Sequence, residues 1–231
     1  MDKKIVFVFD LDDTLYNEID YLKSAYRAIA SLIASKTKLK AEAIFDSMIL
    51  AYHSNENPFE KVITETKVED VTIADLLALY RNHTPDITLT ASHKKLLNDL
   101  RKIVFKMGLI TDGRSVQQRN KLKALGLDDY FDDIIISEEF GSEKPNINNF
   151  KYYENKYGKD HIYAYVGDNT TKDFIGPNAL GWCTICVVNN GKNIHKQSFK
   201  VSKEASPRHI IKKLPEVLLV LQDVTKIKHN N

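Results

Sequence analysis

The sequence carries almost no excess charge: 33 Lys and Arg stand against 31 Asp and Glu, a net charge of +2 over 231 residues. The basic footprint on which nucleic-acid binding depends is therefore missing, and the plentiful aromatic residues fall at core spacings instead of alternating with Lys and Arg. Long hydrophobic runs are missing too. No stretch approaches the ~18 consecutive apolar residues of a membrane-spanning helix. Asp10 interrupts the only apolar stretch near the N-terminus, which thus lacks the h-region and small-residue cleavage site of a signal peptide. The expected location is the cytoplasm. Cysteine is nearly absent, Cys183 and Cys186 being the two present. Their C-x-x-C does not open a helix as a redox pair does, and no second pair of Cys or His completes a zinc site. They lie in Cys183-Thr184-Ile185-Cys186-Val187-Val188, which reads as a strand. The two thiols are expected on opposite faces of it, as small buried hydrophobes.

What is present begins with Ile5-Val6-Phe7-Val8-Phe9, an unbroken apolar run that reads as a fully buried strand of a parallel sheet. It leads straight into the acidic turn Asp10-Leu11-Asp12-Asp13-Thr14. Asp is common in turns for structural reasons, but three carboxylates crowded at one strand end repel one another unless a cation sits among them. Mg²⁺ is the cation that favours one or two carboxylates together with waters and substrate phosphate oxygens.

Between residues 17 and about 88 the apolar residues recur at helical steps: Ile19, Leu22, Tyr26, Ile29 and Ile33; then Ile44, Phe45, Met48 and Tyr52; then Ile73, Leu76, Leu77 and Tyr80. This predicts a small helical bundle with joints at Thr37 to Lys40, at His53-Ser54-Asn55-Glu56-Asn57-Pro58 and at His83-Thr84-Pro85. From about residue 89 helices alternate with short apolar strands. The pattern predicts helices near 91–101 and 115–125, one with Pro145 in its first turn, one ending at Gly181 and one near 207–222. It predicts strands at 103–110, 134–136, 162–166 and 183–188. Alternation of this kind gives an α/β fold, a parallel five-stranded sheet with helices on both faces, and the helical segment inserted after the first strand.

Ligands of such sheets bind outside the carboxyl ends of the strands. Four polar stations stand there: Asp10-Leu11-Asp12-Asp13-Thr14, Thr111-Asp112-Gly113, Ser142-Glu143-Lys144-Pro145, and Gly167-Asp168-Asn169-Thr170-Thr171-Lys172-Asp173. At these residues the chain resembles the haloacid dehalogenase superfamily, in its phosphatase branch with a small helical cap (subfamily I, C1-type). The matching motifs are Asp10-x-Asp12-x-Thr14, Thr111, Lys144-Pro145 and Gly167-Asp168-x-x-x-x-Asp173, in that order. The resemblance covers essentially the whole chain. It implies a Rossmann-like core at residues 1–16 and 89–231 and a cap at 17–88.

It also implies roles. Asp10 would be the nucleophile that forms an aspartyl phosphate, and Asp12 the acid that protonates the leaving oxygen and later the base that activates water. Mg²⁺ would be held by Asp10, the main-chain carbonyl of Asp12, and Asp168, with Asp173 as a further ligand or a support to one. Thr111 and Lys144 would hold the phosphoryl oxygens. Asp13 and Asp112 are expected only to shape their turns, and Ser115 to cap the following helix. Dehalogenases of the superfamily lack the second acid, so Asp12 argues against that chemistry. Phosphomutases keep both aspartates and stand as the alternative, beside a non-catalytic phosphate-binding regulator.

The expected partner is a small phosphate ester enclosed by the cap, such as a sugar phosphate, a phosphoglycolate-like acid or a nucleoside monophosphate. Arg114 and the run His53 to Asn57 are candidate substrate contacts as well as ordinary surface residues. Nothing in the pattern demands self-association.

Overall fold

Strand β1 (Ile5–Phe9) runs through the middle of the sheet, as its unbroken apolar run requires. The computed structural model describes residues 4–229. After β1 come helices α1 (Glu18–Lys36), α2 (Ala41–His53), α3 (Pro58–Thr66), α4 (Ile73–Asn82) and α5 (Ala91–Ile103), then β2 (Lys106–Thr111), α6 (Ser115–Leu125) and β3 (Asp133–Ile136). The short α7 (Ser137–Phe140), α8 (Asn148–Tyr157), β4 (Ile162–Gly167), α9 (Ile175–Ala179), β5 (Cys183–Val187), β6 (His209–Ile211) and α10 (Val217–His229) follow.

The strands form one parallel sheet in the order β3-β2-β1-β4-β5-β6. Because successive side chains of a strand face opposite ways, β1 serves two cores at once. Phe7 and Phe9 pack with Leu97 and Leu100 of α5, Leu122 of α6 and Val217 of α10. Val6 and Val8 pack on the other face with Phe150 and Tyr153 of α8 and Trp182. Cys183 joins the first of these cores and Cys186 the second, so the two thiols point apart and both are buried, as expected.

Helices α1–α4, inserted between β1 and α5, build a third core from Ile29, Ile33, Phe45, Met48, Val62 and Leu76. Helix α3 is not among the expected helices: Pro58 falls in an expected joint, and residues 59–66 carry no expected element. Its start signal is nevertheless in the sequence: Asn57 accepts hydrogen bonds from the Phe59 and Glu60 amides, and Pro58 takes the first helical position. Among the described residues no helix is long and apolar enough to cross a membrane.

The sheet has six strands where five were expected. His209–Ile211 pairs with β5, Ile185 opposite His209 and Val187 opposite Ile211, in a segment read as the start of the last helix. Pro215 explains the difference: it opens a helical turn at Leu214–Glu216, and the residues before it are left extended and free to extend the edge. Pro145, expected in the first turn of a helix, stands ahead of α8, which opens at Asn148. Strand β2 starts at Lys106 because α5 runs on to Ile103.

Candidate active site

At the end of β1 the Asp10 amide donates to the Val166 carbonyl at 2.9 Å, which holds the acidic turn against β4. The Thr14 hydroxyl donates to Asp10 Oδ2 at 2.9 Å. Asp13 lies in the left-handed region at φ 55°, and its carboxylate accepts from the amides of Glu18 at 2.8 Å and Ile194 at 2.9 Å. It therefore shapes the turn, as expected. It also fastens a strap, residues 188–208 between β5 and β6, to the turn.

Lys144 is buried among the acids. Its Nζ lies 2.5 Å from Asp10 Oδ1, 2.8 Å from Asp173 Oδ1 and 3.1 Å from the Tyr165 hydroxyl. Burial favours the neutral amine, but Asp10 and Asp173 outweigh it and hold the Lys144 pKa well above the ordinary lysine value. The Asp112 carboxylate, expected only to shape its turn, accepts from the Lys144 amide at 3.0 Å and from Lys172 Nζ at 2.8 Å, so it positions two cations. Asp173 also accepts the Asn169 amide at 2.8 Å and approaches Gly167 so closely that a Cβ there would stand 2.4 Å from its Oδ2. Only glycine leaves this space.

Asp12 turns its carboxylate away from these groups. Lys121 Nζ lies 2.7 Å from Oδ1, the Tyr16 hydroxyl donates to the same oxygen at 2.5 Å, and Gln118 Nε2 donates to Oδ2 at 2.9 Å. Gln118 Nε2 also donates to the Thr111 hydroxyl at 2.5 Å. Burial pushes the Asp12 pKa up, but the Lys121 charge and the hydrogen bonds from Lys121, Tyr16 and Gln118 together hold it below the usual carboxylate value. Lys121 and Gln118 were not foreseen. Both are buried on α6, and their signal is positional: Gln118 and Lys121 share the helix face of the buried Leu122 and Leu125, where polar residues are out of place unless engaged.

Asp10, Asp168 and Asp173 each offer a carboxylate oxygen within 4.8 Å of the others, and all three residues are buried. Asn193 Nδ2 of the strap donates to Asp168 Oδ2 at 2.7 Å. Burial, tempered by Lys144 and reinforced by Asp173, pushes the Asp10 pKa up to about 7. Burial and the charges of Asp10 and Asp173 push Asp168 up to about 8. Carboxylates that resist ionising because they crowd one another are what a hard divalent cation relieves, so the three residues fit a metal.

This has a measurable result. A carboxyl whose pKa is raised on folding binds more protons in the native than in the unfolded chain, so stability is lost as pH rises through the folded value. Chelated protein is expected to melt at progressively lower temperature between about pH 5 and pH 8, each retained proton contributing at most about 1.4 kcal/mol per pH unit, and to level off above that. A divalent cation bound there would replace those protons, so Mg²⁺ is expected to raise the melting temperature more at about pH 8 than at about pH 6. A melting temperature of chelated protein that is flat or rises over this range contradicts the reading.

The cavity at these strand ends, about 110 Å³, is lined by Asp10, Asp12, Thr111, Lys144, Asp168 and Asp173, together with Glu18, Lys172 and His195 among others. All six residues singled out from the sequence thus meet in one place. The run His53 to Asn57 and Arg114 do not line it, and Arg114 faces Glu138 at 3.7 Å. Ser115 does not cap α6. It is the first helical residue, its hydroxyl donating to Glu139 at 2.6 Å and its amide to Glu138 at 2.7 Å.

The molecule is thus an α/β protein with a parallel sheet whose carboxyl ends gather acids around a buried lysine. It belongs to the haloacid dehalogenase-like hydrolases, whose family model matches residues 7–187. A glyceraldehyde 3-phosphate phosphatase of Methanocaldococcus jannaschii is 34% identical over 190 residues, covering 78% of this chain and 83% of its own. The human N-acylneuraminate-9-phosphatase is 25% identical over 94% of this chain and 93% of its own. Among solved structures, the magnesium-bound HAD-hydrolase YfnB of Bacillus subtilis superposes with a TM-score of 0.64 at 21% identity, covering 95% of this chain and 99% of that one. With this family and these relatives, the chain is a phosphoric monoester hydrolase.

Proposed function

We propose that the chain is a Mg²⁺-dependent phosphatase of a small phosphorylated metabolite, working through a phosphoryl group carried on Asp10. The observation that supports this best is the setting of Asp10: a buried carboxylate at a strand end, oriented by Thr14 and Lys144, beside two further acids suited to a cation. In this reading residues 17–88 are a cap over a core made of 1–16 and 89–231. The small cavity favours a small ester.

Asp10, Asp168 and the main-chain carbonyl of Asp12 would hold Mg²⁺, with Asp173 as a further ligand or a support to one. Bound there, the cation neutralises the charge of the transferring phosphoryl group. Lys144 and the Thr111 hydroxyl bind the phosphoryl oxygens. Asp10 attacks phosphorus, and the bond from phosphorus to the leaving oxygen breaks while Asp12 gives that oxygen a proton. Asp12 then takes a proton from water as the water attacks the phosphoryl group, and Asp10 leaves as a free carboxylate. The hydrogen bonds from Lys121, Gln118 and Tyr16 suit Asp12 to the second half of this cycle, since they favour the charged carboxylate. For the first half the carboxyl must be protonated and come away from Lys121.

The test is phosphate release from p-nitrophenyl phosphate and a panel of small alkyl phosphates, with Mg²⁺ and with chelator. Release that persists fully under chelation rejects the metal dependence. Asp12→Asn is expected to slow alkyl phosphates by ~10²–10⁴-fold. It is expected to slow p-nitrophenyl phosphate less, because p-nitrophenolate leaves without a proton. Equal losses on both reject the acid role.

A further inference from the structure

Among the described residues, seven carboxylates line the cavity against two lysines and one histidine. Lys144 is shared between Asp10 and Asp173, and Lys172 is bound to Asp112. Most of the lining is already hydrogen-bonded within the protein: Asp12 to α6, Asp13 to two amides, Asp168 to Asn193, Thr111 to Gln118. Two lining side chains make no hydrogen bond among the described residues, Glu18 and His195. Glu18 opens α1 and faces Lys121 at 3.7 Å.

His195 comes from the strap, and its place there is fixed on both sides. Ile194 donates its amide to Asp13 and packs its side chain against the core of α1–α4, while Asn193 donates to Asp168. Gln197 Nε2 donates to the carbonyls of Asp168 at 2.7 Å and Val187 at 2.8 Å. The strap is thus fastened to the first and the fourth polar stations, with His195 between its anchors.

We infer that this enzyme selects phosphate esters whose carbon skeleton is hydroxylated and uncharged, with Glu18 and His195 binding the hydroxyl groups. The inference rests on the phosphatase reading above. A hydroxyl both donates and accepts, so it pairs with a carboxyl oxygen and with an imidazole nitrogen whatever protonation either holds. A second anionic group on the substrate, by contrast, meets a surplus of carboxylates, with both lining lysines already paired. Of the substrate classes read from the sequence, this favours sugar-type phosphates and disfavours phosphoglycolate-like acids.

Matched esters test it: glycerol 3-phosphate against 3-phosphoglycerate, in which a carboxylate replaces the terminal hydroxymethyl group, with p-nitrophenyl phosphate as a third substrate. In the unaltered enzyme kcat/KM for glycerol 3-phosphate is expected to exceed that for 3-phosphoglycerate by about tenfold or more. Glu18→Gln, which removes an acid that opposes a second anion, and His195→Ala, which removes a hydroxyl partner, are each expected to bring that ratio down at least about threefold. The ratio is internal to each variant, so a general loss of activity does not move it. Equal or better use of 3-phosphoglycerate by the unaltered enzyme, or a ratio unchanged in both variants, overturns the inference while the phosphatase reading stands. No release from any of the three esters, p-nitrophenyl phosphate included, overturns both.

Discussion

Asp10→Asn is expected to reduce phosphate release by about 10⁴-fold or more, the scale on which loss of an enzymic nucleophile is felt. The amide keeps the size of the carboxyl and an oxygen for the Thr14 hydroxyl, so the turn after β1 has little reason to change. What disappears is the charge that draws Lys144 to 2.5 Å and the oxygen proposed to attack phosphorus. Because the substitution also removes one of three crowded acids, the variant is expected to melt no lower than the unaltered chain in chelator. Phosphate release and thermal melting measured on one preparation separate the two effects. A well-folded Asp10→Asn protein retaining more than about one hundredth of the activity places the nucleophile elsewhere.

Lys144→Met is expected to be the most destabilising single change at the site. Its ammonium is almost wholly inaccessible and is the near partner of both Asp10 and Asp173. Removing one member of a buried ion pair leaves a charge without its counterion, at a cost of about 3–5 kcal/mol. In a chain of this size that corresponds to a fall of roughly 6–20 °C in melting temperature. Mg²⁺ is expected to restore part of the loss, because a cation among Asp10, Asp168 and Asp173 takes over some of the balancing that Lys144 performs. Activity is expected to stay low even in Mg²⁺, since the phosphoryl oxygens lose a fixed donor. A variant that melts like the unaltered chain in chelator shows that the three acids are not held together by this lysine.

The sequence made the sheet and the six polar residues at its strand ends legible because each signal is local. A short apolar run followed at once by Asp, Thr or Gly can be read without knowing what lies opposite. Side chains that reach the site from elsewhere were not legible in that way. Lys121 and Gln118 sit inside an ordinary helix, where only their phase against Leu122 and Leu125 marks them. Glu18 resembles any acid placed in a first helical turn to meet the helix dipole. His195 lies in a strap with no periodicity, held by hydrogen bonds to residues far away in sequence, including Asp13 and Asp168. Strand β6 is three residues long, too short for alternation to show.

The place of β1 bears on how the chain comes together during synthesis. It is made before the other described elements, yet its neighbours in the sheet are β2 and β4: Phe7 stands opposite Met107 on one side and Ala164 on the other. Helices α1–α4 have a core of their own residues to bury as soon as they leave the ribosome. The acidic turn has no such local support. Its amide at Asp10 is held by Val166, and the partners of Asp10 at Lys144, Asp168 and Asp173 are made later than most of the chain. The residues read first are therefore among the last to be set in place, and the site takes shape only once β4 has closed the ladder beside them.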